Sequence, residues 1–179
     1  MGAAAPEDLP TDLIVSLPFL TSLVPQRSFS GSGAAAPDSR AKASRSGSLR
    51  MSGRALRVLI VDDEPMVAAT LQDIISEAGG EVAGVISLGL ASVGAASVVR
   101  PDVVVMDVRL APGLDGIDAA AIIRERRWTP IVFISANDVR DEVTDRLSSL
   151  EGVEVLSKPI DADALCAAIL RVSSARPDR

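Results

Sequence analysis

The chain has 179 residues, a formal charge of −6 and no histidine, which excludes a phosphohistidine or an imidazole base of its own. Its single cysteine, Cys166, excludes an internal disulfide and a thiolate metal cluster. Aromatic residues make up only 2%, so Val, Ile, Leu and Ala must build the core.

Composition shifts near residue 55. Residues 1–54 read as a disordered tail rich in Ala, Ser, Gly, Pro and Arg, too poor in large apolar side chains over 28–53 to fold alone. Arg27, Arg40, Lys42, Arg45, Arg50 and Arg54 face only Asp38 in this stretch. Such an arm suits a nucleic acid or a membrane surface, yet no aromatic residue alternates with the basic ones, so a solvated tail is the plainer reading. Leu13–Val24 is apolar but broken by Pro18, and it is shorter than the roughly 20 residues that span a bilayer. Glu7, Asp8 and Asp12 precede it, where a secretory signal would be basic. The expectation is a cytoplasmic protein with no membrane segment.

From Leu56 to Val172 strand-like and helix-like segments alternate. The first strand is RVLIV, ending at Val61. Pro65 suits the first turn of a helix, whose apolar stripe is Val67, Leu71, Ile74, Ile75 and Ala78. Gly79-Gly80 supplies a left-handed stop. Val82–Ile86 reads as the second strand, and 88–99 as a helix of small residues ended by Pro101. The third strand is Val103–Met106; Asp115 caps a helix running to about Arg127. Ile131–Ile134 is the fourth strand, and Val143, Leu147 and Leu150 stripe a fourth helix. Val153–Leu156 is the fifth strand, and Asp161 caps a last helix with Leu165, Ile169 and Val172 facing inward. Right-handed crossovers turn five such units into a doubly wound, five-stranded parallel α/β sheet.

Four of the five strands end in ionisable or hydroxyl groups. These are Asp62-Asp63, Asp107, Ser135, and Ser157-Lys158-Pro159. In an open parallel sheet, ligands bind at the carboxyl ends of the strands. The tails should therefore converge on one pocket holding three carboxylates, a hydroxyl and an ammonium. That set suits a divalent cation beside a phosphoryl group. Taken singly, each residue has a plainer role: Asp62-Asp63 as turn caps, Lys158 as a surface lysine. Lys158 is, however, the only lysine between residues 55 and 173, and the joint placement is what points to a phosphoacceptor pocket.

The segments RVLIVDDEP, VVVMDVRL with DG following, IVFISA and LSKP, in this order, resemble the receiver domain of two-component response regulators. The resemblance covers about residues 55–173, with 174–179 left as a short tail. It implies a flavodoxin-like (βα)5 fold of strand order 2-1-3-4-5. It implies Asp107 as phosphoacceptor, Asp62 and Asp63 as the acidic pair, and Ser135 with Ala136 and Lys158 as phosphoryl-contacting switch residues. It also implies a cis bond before Pro159. A carboxylate is a competent nucleophile for phosphorus. The cation expected is Mg2+, with Mn2+ as the alternative, bound by Asp63 and Asp107, by Asp62 through water, and by the backbone carbonyl of Arg109. Lys158 and Ser135 would serve the phosphoryl oxygens, since phosphoryl transfer rests mostly on positioning and electrostatics.

Two positions depart from the family pattern. Val155 stands where the family often has an aromatic ring that swings inward, and Arg109 places a cation at the pocket rim. The implied partners are a sensor histidine kinase or a histidine phosphotransferase, and a downstream protein bound by the face of the fourth helix, fifth strand and fifth helix. Too little follows Val172 for a DNA-binding or enzymatic module, so a stand-alone receiver that is not an enzyme is expected. A phosphorylation-independent scaffold shares the fold, but a complete pocket argues against it. A phosphatase of the haloacid-dehalogenase type would want D-x-D after the first strand, where this chain reads DDEP.

Overall fold

The structure, a computed structural model, describes residues 48–110, 113–136, 146–147 and 152–175. Two short strands open it: β1 (Arg50–Met51) pairs antiparallel with β2 (Arg54–Ala55). The turn between them, Ser52-Gly53, has φ of 51° and 82°. Two consecutive positive φ values belong to the tight hairpin turn whose twist matches that of its strands.

Five strands follow, alternating with four helices among the described residues. They are β3 (Arg57–Val61), α1 (Pro65–Glu77), β4 (Glu81–Ile86), α2 (Gly89–Val99), β5 (Val103–Asp107), α3 (Gly116–Arg126), β6 (Ile131–Ser135), β7 (Val153–Ser157) and α4 (Ala162–Ser174). The sheet order is β4-β3-β5-β6-β7, every pairing parallel. With the hairpin strands left out of the count, this is the expected 2-1-3-4-5.

The three inner strands, β3, β5 and β6, read as nearly continuous apolar runs because helices cover both faces of the sheet. Side chains alternate across it. Val58, Ile60, Val132 and Ile134 join Leu71, Ile75, Leu165 and Ile169 on one side. Leu59, Val61, Met106 and Phe133 join Ile117 and Ile123 on the other. Asp115 and Asp161 cap α3 and α4 as expected, each accepting a 2.8 Å hydrogen bond from the N–H three residues on. Gly79, at φ 77°, follows the end of α1 in the left-handed conformation that glycine adopts without penalty. The helix expected around Val143 and Leu150 lies outside the described residues, apart from Arg146 and Leu147. Leu147 is buried in the second core, and Arg146 pairs with Asp115 and Asp118 at 2.9 and 3.1 Å.

One boundary needs correction. The tail was expected to run to residue 54, but Ser48–Ala55 belong to the folded domain. Leu49 is fully buried in the first core. Its N–H donates to the Ala78 carbonyl at 2.8 Å, and its carbonyl accepts from Leu56 at 2.9 Å. Arg54 then grips Asp102 through both guanidinium arms, at 2.6 and 2.7 Å. A single leucine and a two-residue strand leave no periodic trace in a Ser/Gly/Arg-rich stretch, and composition averaged over the window concealed them.

Candidate functional site

The carboxyl ends of β3, β5, β6 and β7 meet as the topology requires. Asp62 and Asp63 lead off β3, Asp107 ends β5, Ser135 ends β6, and Lys158 follows β7. Asp62 is 2% exposed and Asp107 5% exposed. Each of Asp62, Asp63 and Asp107 offers a carboxylate oxygen within 4.8 Å of the others. Lys158 crosses the sheet end to reach them. Its Nζ donates to Asp107 Oδ2 at 2.7 Å and lies 3.7 Å from Asp62 Oδ2.

Local geometry holds each acid in place. Asp62 Oδ1 accepts from the Glu64 N–H at 2.8 Å, so the plainer role of turn cap is filled by one oxygen of this carboxylate. Its other oxygen, Oδ2, is buried and has no hydrogen-bond partner. Asp107 Oδ1 accepts from the Arg109 N–H at 2.9 Å, which folds the start of the next loop over the acid. Gly116, the glycine of the DG pair, abuts the Asp107 carbonyl so closely that any Cβ would collide with it. The Lys158–Pro159 peptide bond is cis, and the Lys158 N–H donates to the Ser135 carbonyl at 2.8 Å. Ser135 is buried, its hydroxyl turned onto the Ala136 carbonyl at 3.1 Å rather than into the pocket.

The electrostatics follow from burial. Desolvation raises the Asp62 carboxyl to about 6, with Asp107 adding to the rise; the Glu64 N–H and Lys158 pull the other way. Burial opposes the charge of Lys158, but its hydrogen bonds to Asp107 and Glu64 outweigh that and hold its pKa above the ordinary lysine value. A buried carboxylate oxygen without a partner is costly unless something cationic meets it. Asp62 Oδ2, with no hydrogen bond and the Lys158 ammonium no nearer than 3.7 Å, and the all-oxygen donor set therefore fit a hard divalent cation such as Mg2+.

Comparisons with known proteins identify the family. Residues 58–170 match the response regulator receiver domain. The chain belongs to that family. It is 37% identical over 131 residues to the transcriptional regulatory protein TcrA of Mycobacterium tuberculosis, covering 72% of this chain and 49% of the relative. It is 39% identical over 113 residues to the transcriptional regulatory protein PdtaR of the same species, covering 63% and 54%. The chain thus spans about half the length of these curated relatives. Among solved structures, the response regulator domain of Thermotoga maritima CheB superposes with a TM-score of 0.63 at 29% identity, over 69% of this chain and all of that one. The signal receiver domain of Mycobacterium tuberculosis NarL gives 0.62 at 27% identity, over 69% and 99%.

Within this receiver the structure also brings in a residue that the sequence reading did not single out. Glu64 Oε1 accepts a 2.7 Å hydrogen bond from Lys158 Nζ, across 94 residues of chain. Beside Asp62-Asp63 it looked like part of a helix start, and only the fold sets it against Lys158. Val155 packs against the second core and lies opposite Phe133 in the β6–β7 register. Among the described residues no helix is long and apolar enough to cross a membrane.

Proposed function

We propose that this receiver takes a phosphoryl group onto Asp107 from a partner histidine kinase or histidine phosphotransferase, in a Mg2+-dependent reaction. Asp107 oxygen attacks phosphorus, the P–N bond of the donor phosphohistidine breaks, and the freed imidazole nitrogen keeps the bond's electron pair. The observation that carries this reading is the contact between Lys158 Nζ and Asp107 Oδ2, inside a pocket whose other buried acid has an oxygen without a hydrogen bond. An ammonium fixed on the acceptor is already placed for the oxygens of an arriving phosphoryl group.

Asp62, Asp63 and Asp107 would hold the cation, the Arg109 carbonyl completing the shell, and the cation would neutralise charge on the transferring group. Lys158 stays as a point charge at one phosphoryl oxygen. Ser135 reaches another once its hydroxyl turns from the Ala136 carbonyl into the pocket. The phosphorylated domain signals by protein contact or onward phosphotransfer, not by turnover of a substrate. The face that would carry the signal includes β7 and α4; the expected fourth helix lies outside the described residues apart from Arg146 and Leu147. The free, buried Cys166 suits a reducing cytoplasm.

Intact-mass spectrometry with acetyl phosphate or phosphoramidate and Mg2+ tests the reading. One added phosphoryl group is expected, lost in Asp107→Asn and lost with a chelator. Equal labelling of Asp107→Asn would remove Asp107 from the role.

A further inference from the structure

The Glu64–Lys158 bond has no place in the reaction just described, yet it engages the ammonium that the reaction needs. Lys158 Nζ stands between two carboxylates, 2.7 Å from Asp107 Oδ2 and 2.7 Å from Glu64 Oε1. Asp107 belongs to the buried pocket. Glu64 lies outside it, its side chain 61% exposed against 22% for Lys158. Glu64 is also the N-cap residue of α1, but its side chain makes no cap hydrogen bond. Its carboxylate is therefore free of the helix and committed to Lys158.

We infer that Glu64 is a positioning residue that sets donor preference, holding Lys158 toward the rim and screening the pocket against small dianionic phosphodonors. The inference rests on Asp107 being the phosphoacceptor. The physical reason is competition. An ammonium has three N–H donors, and Glu64 takes one that an arriving phosphoryl oxygen would use. Glu64 also adds a negative charge at the mouth, beside three acids and one lysine. A dianion such as acetyl phosphate meets that charge on entry. Phosphoramidate, which carries a protonated amine at neutral pH, is repelled less.

Two measurements on the full chain test this. The first needs no phosphodonor. Lys42 and Lys158 are the only lysines, so the ammonium signals of a lysine-labelled sample can be told apart. Glu64→Gln keeps the side-chain length and removes the charge. It should speed solvent exchange of the Lys158 ammonium and leave Lys42 unchanged. The second compares uptake rates. Glu64→Gln should raise the rate from acetyl phosphate by roughly three- to tenfold, the scale of one exposed charge a few ångströms away. The gain should be smaller with phosphoramidate and should shrink as salt is added. Glu64→Asp retains the charge and should leave the donor ratio near that of the unaltered chain. An unchanged Lys158 signal in Glu64→Gln overturns the inference whatever the labelling shows. So does an unchanged or slower acetyl phosphate rate. If neither the unaltered chain nor the variant takes up phosphoryl, the phosphoacceptor reading fails first and the donor filter falls with it.

Discussion

Arg54 and Asp102 form a fork-to-fork pair, with Nη1 and Nη2 at 2.6 and 2.7 Å from the two carboxylate oxygens. Asp102 also accepts from the Arg57 N–H at 2.9 Å, so one acid ties the hairpin to the start of β3. Arg54 is more than half exposed, which limits the stability the pair supplies despite its good geometry. The greater share of the hairpin's hold falls to Leu49, which has no exposed surface.

Leu49→Ala should therefore destabilise the domain by roughly 2–5 kcal/mol, the range for truncating a buried leucine. A chain beginning at Ser48 should melt like the full chain, whereas one beginning at Met51 should melt several degrees lower. Denaturant unfolding of the three forms decides it. Equal midpoints for all three would mean that Leu49 contributes nothing.

Asp62 predicts how cation binding depends on pH. Its carboxyl titrates at about 6 in the fold, above the roughly 3.9 of an unfolded chain. A raised value means that the fold favours the protonated form. That contribution is fully present below about pH 4 and is lost as pH rises through about 6. The ionised acid is the one a cation needs. Mg2+ should thus raise the melting temperature markedly at about pH 8 and much less at about pH 5. Asp62→Asn should make the metal-free domain more stable at neutral pH and remove most of the Mg2+ effect. A metal shift independent of pH would contradict this.

Gly116→Ala should damage the site without touching an acid. The new Cβ would run into the Asp107 carbonyl, and backbone cannot swing aside as a side chain does. A destabilisation of about 1–3 kcal/mol is expected, with slower phosphoryl uptake because the acceptor is displaced. An uptake rate equal to that of the unaltered chain would show that the loop absorbs the methyl group.

Ser135→Ala should separate loading from signalling. Asp107 should still take up phosphoryl, because the nucleophile and Lys158 remain. In the unaltered chain, beryllofluoride, a phosphoryl mimic, should change backbone hydrogen exchange across residues 135–150 and change it little at Val155. In Ser135→Ala that change should be largely lost. Identical exchange with and without the mimic in the unaltered chain, together with undiminished partner binding, would favour a scaffold role instead.

The sheet was legible because doubly covered strands need apolar side chains on both faces, and RVLIV, VVVM and IVFI can satisfy that in few other ways. Asp115 and Asp161 were legible as caps because a cap needs only its own next three residues. Asp62, Asp63, Asp107 and Lys158 were legible as a set because parallel topology delivers strand ends to one edge. Leu49 and Glu64 were not. Each acts through a contact distant in sequence, Leu49 against Ala78 and Glu64 against Lys158, and nothing local announces such a contact. The need for glycine at 116 was equally hidden, since it comes from an approach to Asp107 that only the folded loop reveals.

Trp128 is the only tryptophan. It lines a small cleft with Met51, Arg54 and Asp102 just before β6 begins, at the opposite end of the strands from Asp107. Its indole emission is thus a built-in optical gauge of whether the hairpin is seated. It views the far side of the domain from the acids, so a change in its fluorescence on adding beryllofluoride would mean that the rearrangement had crossed the whole sheet.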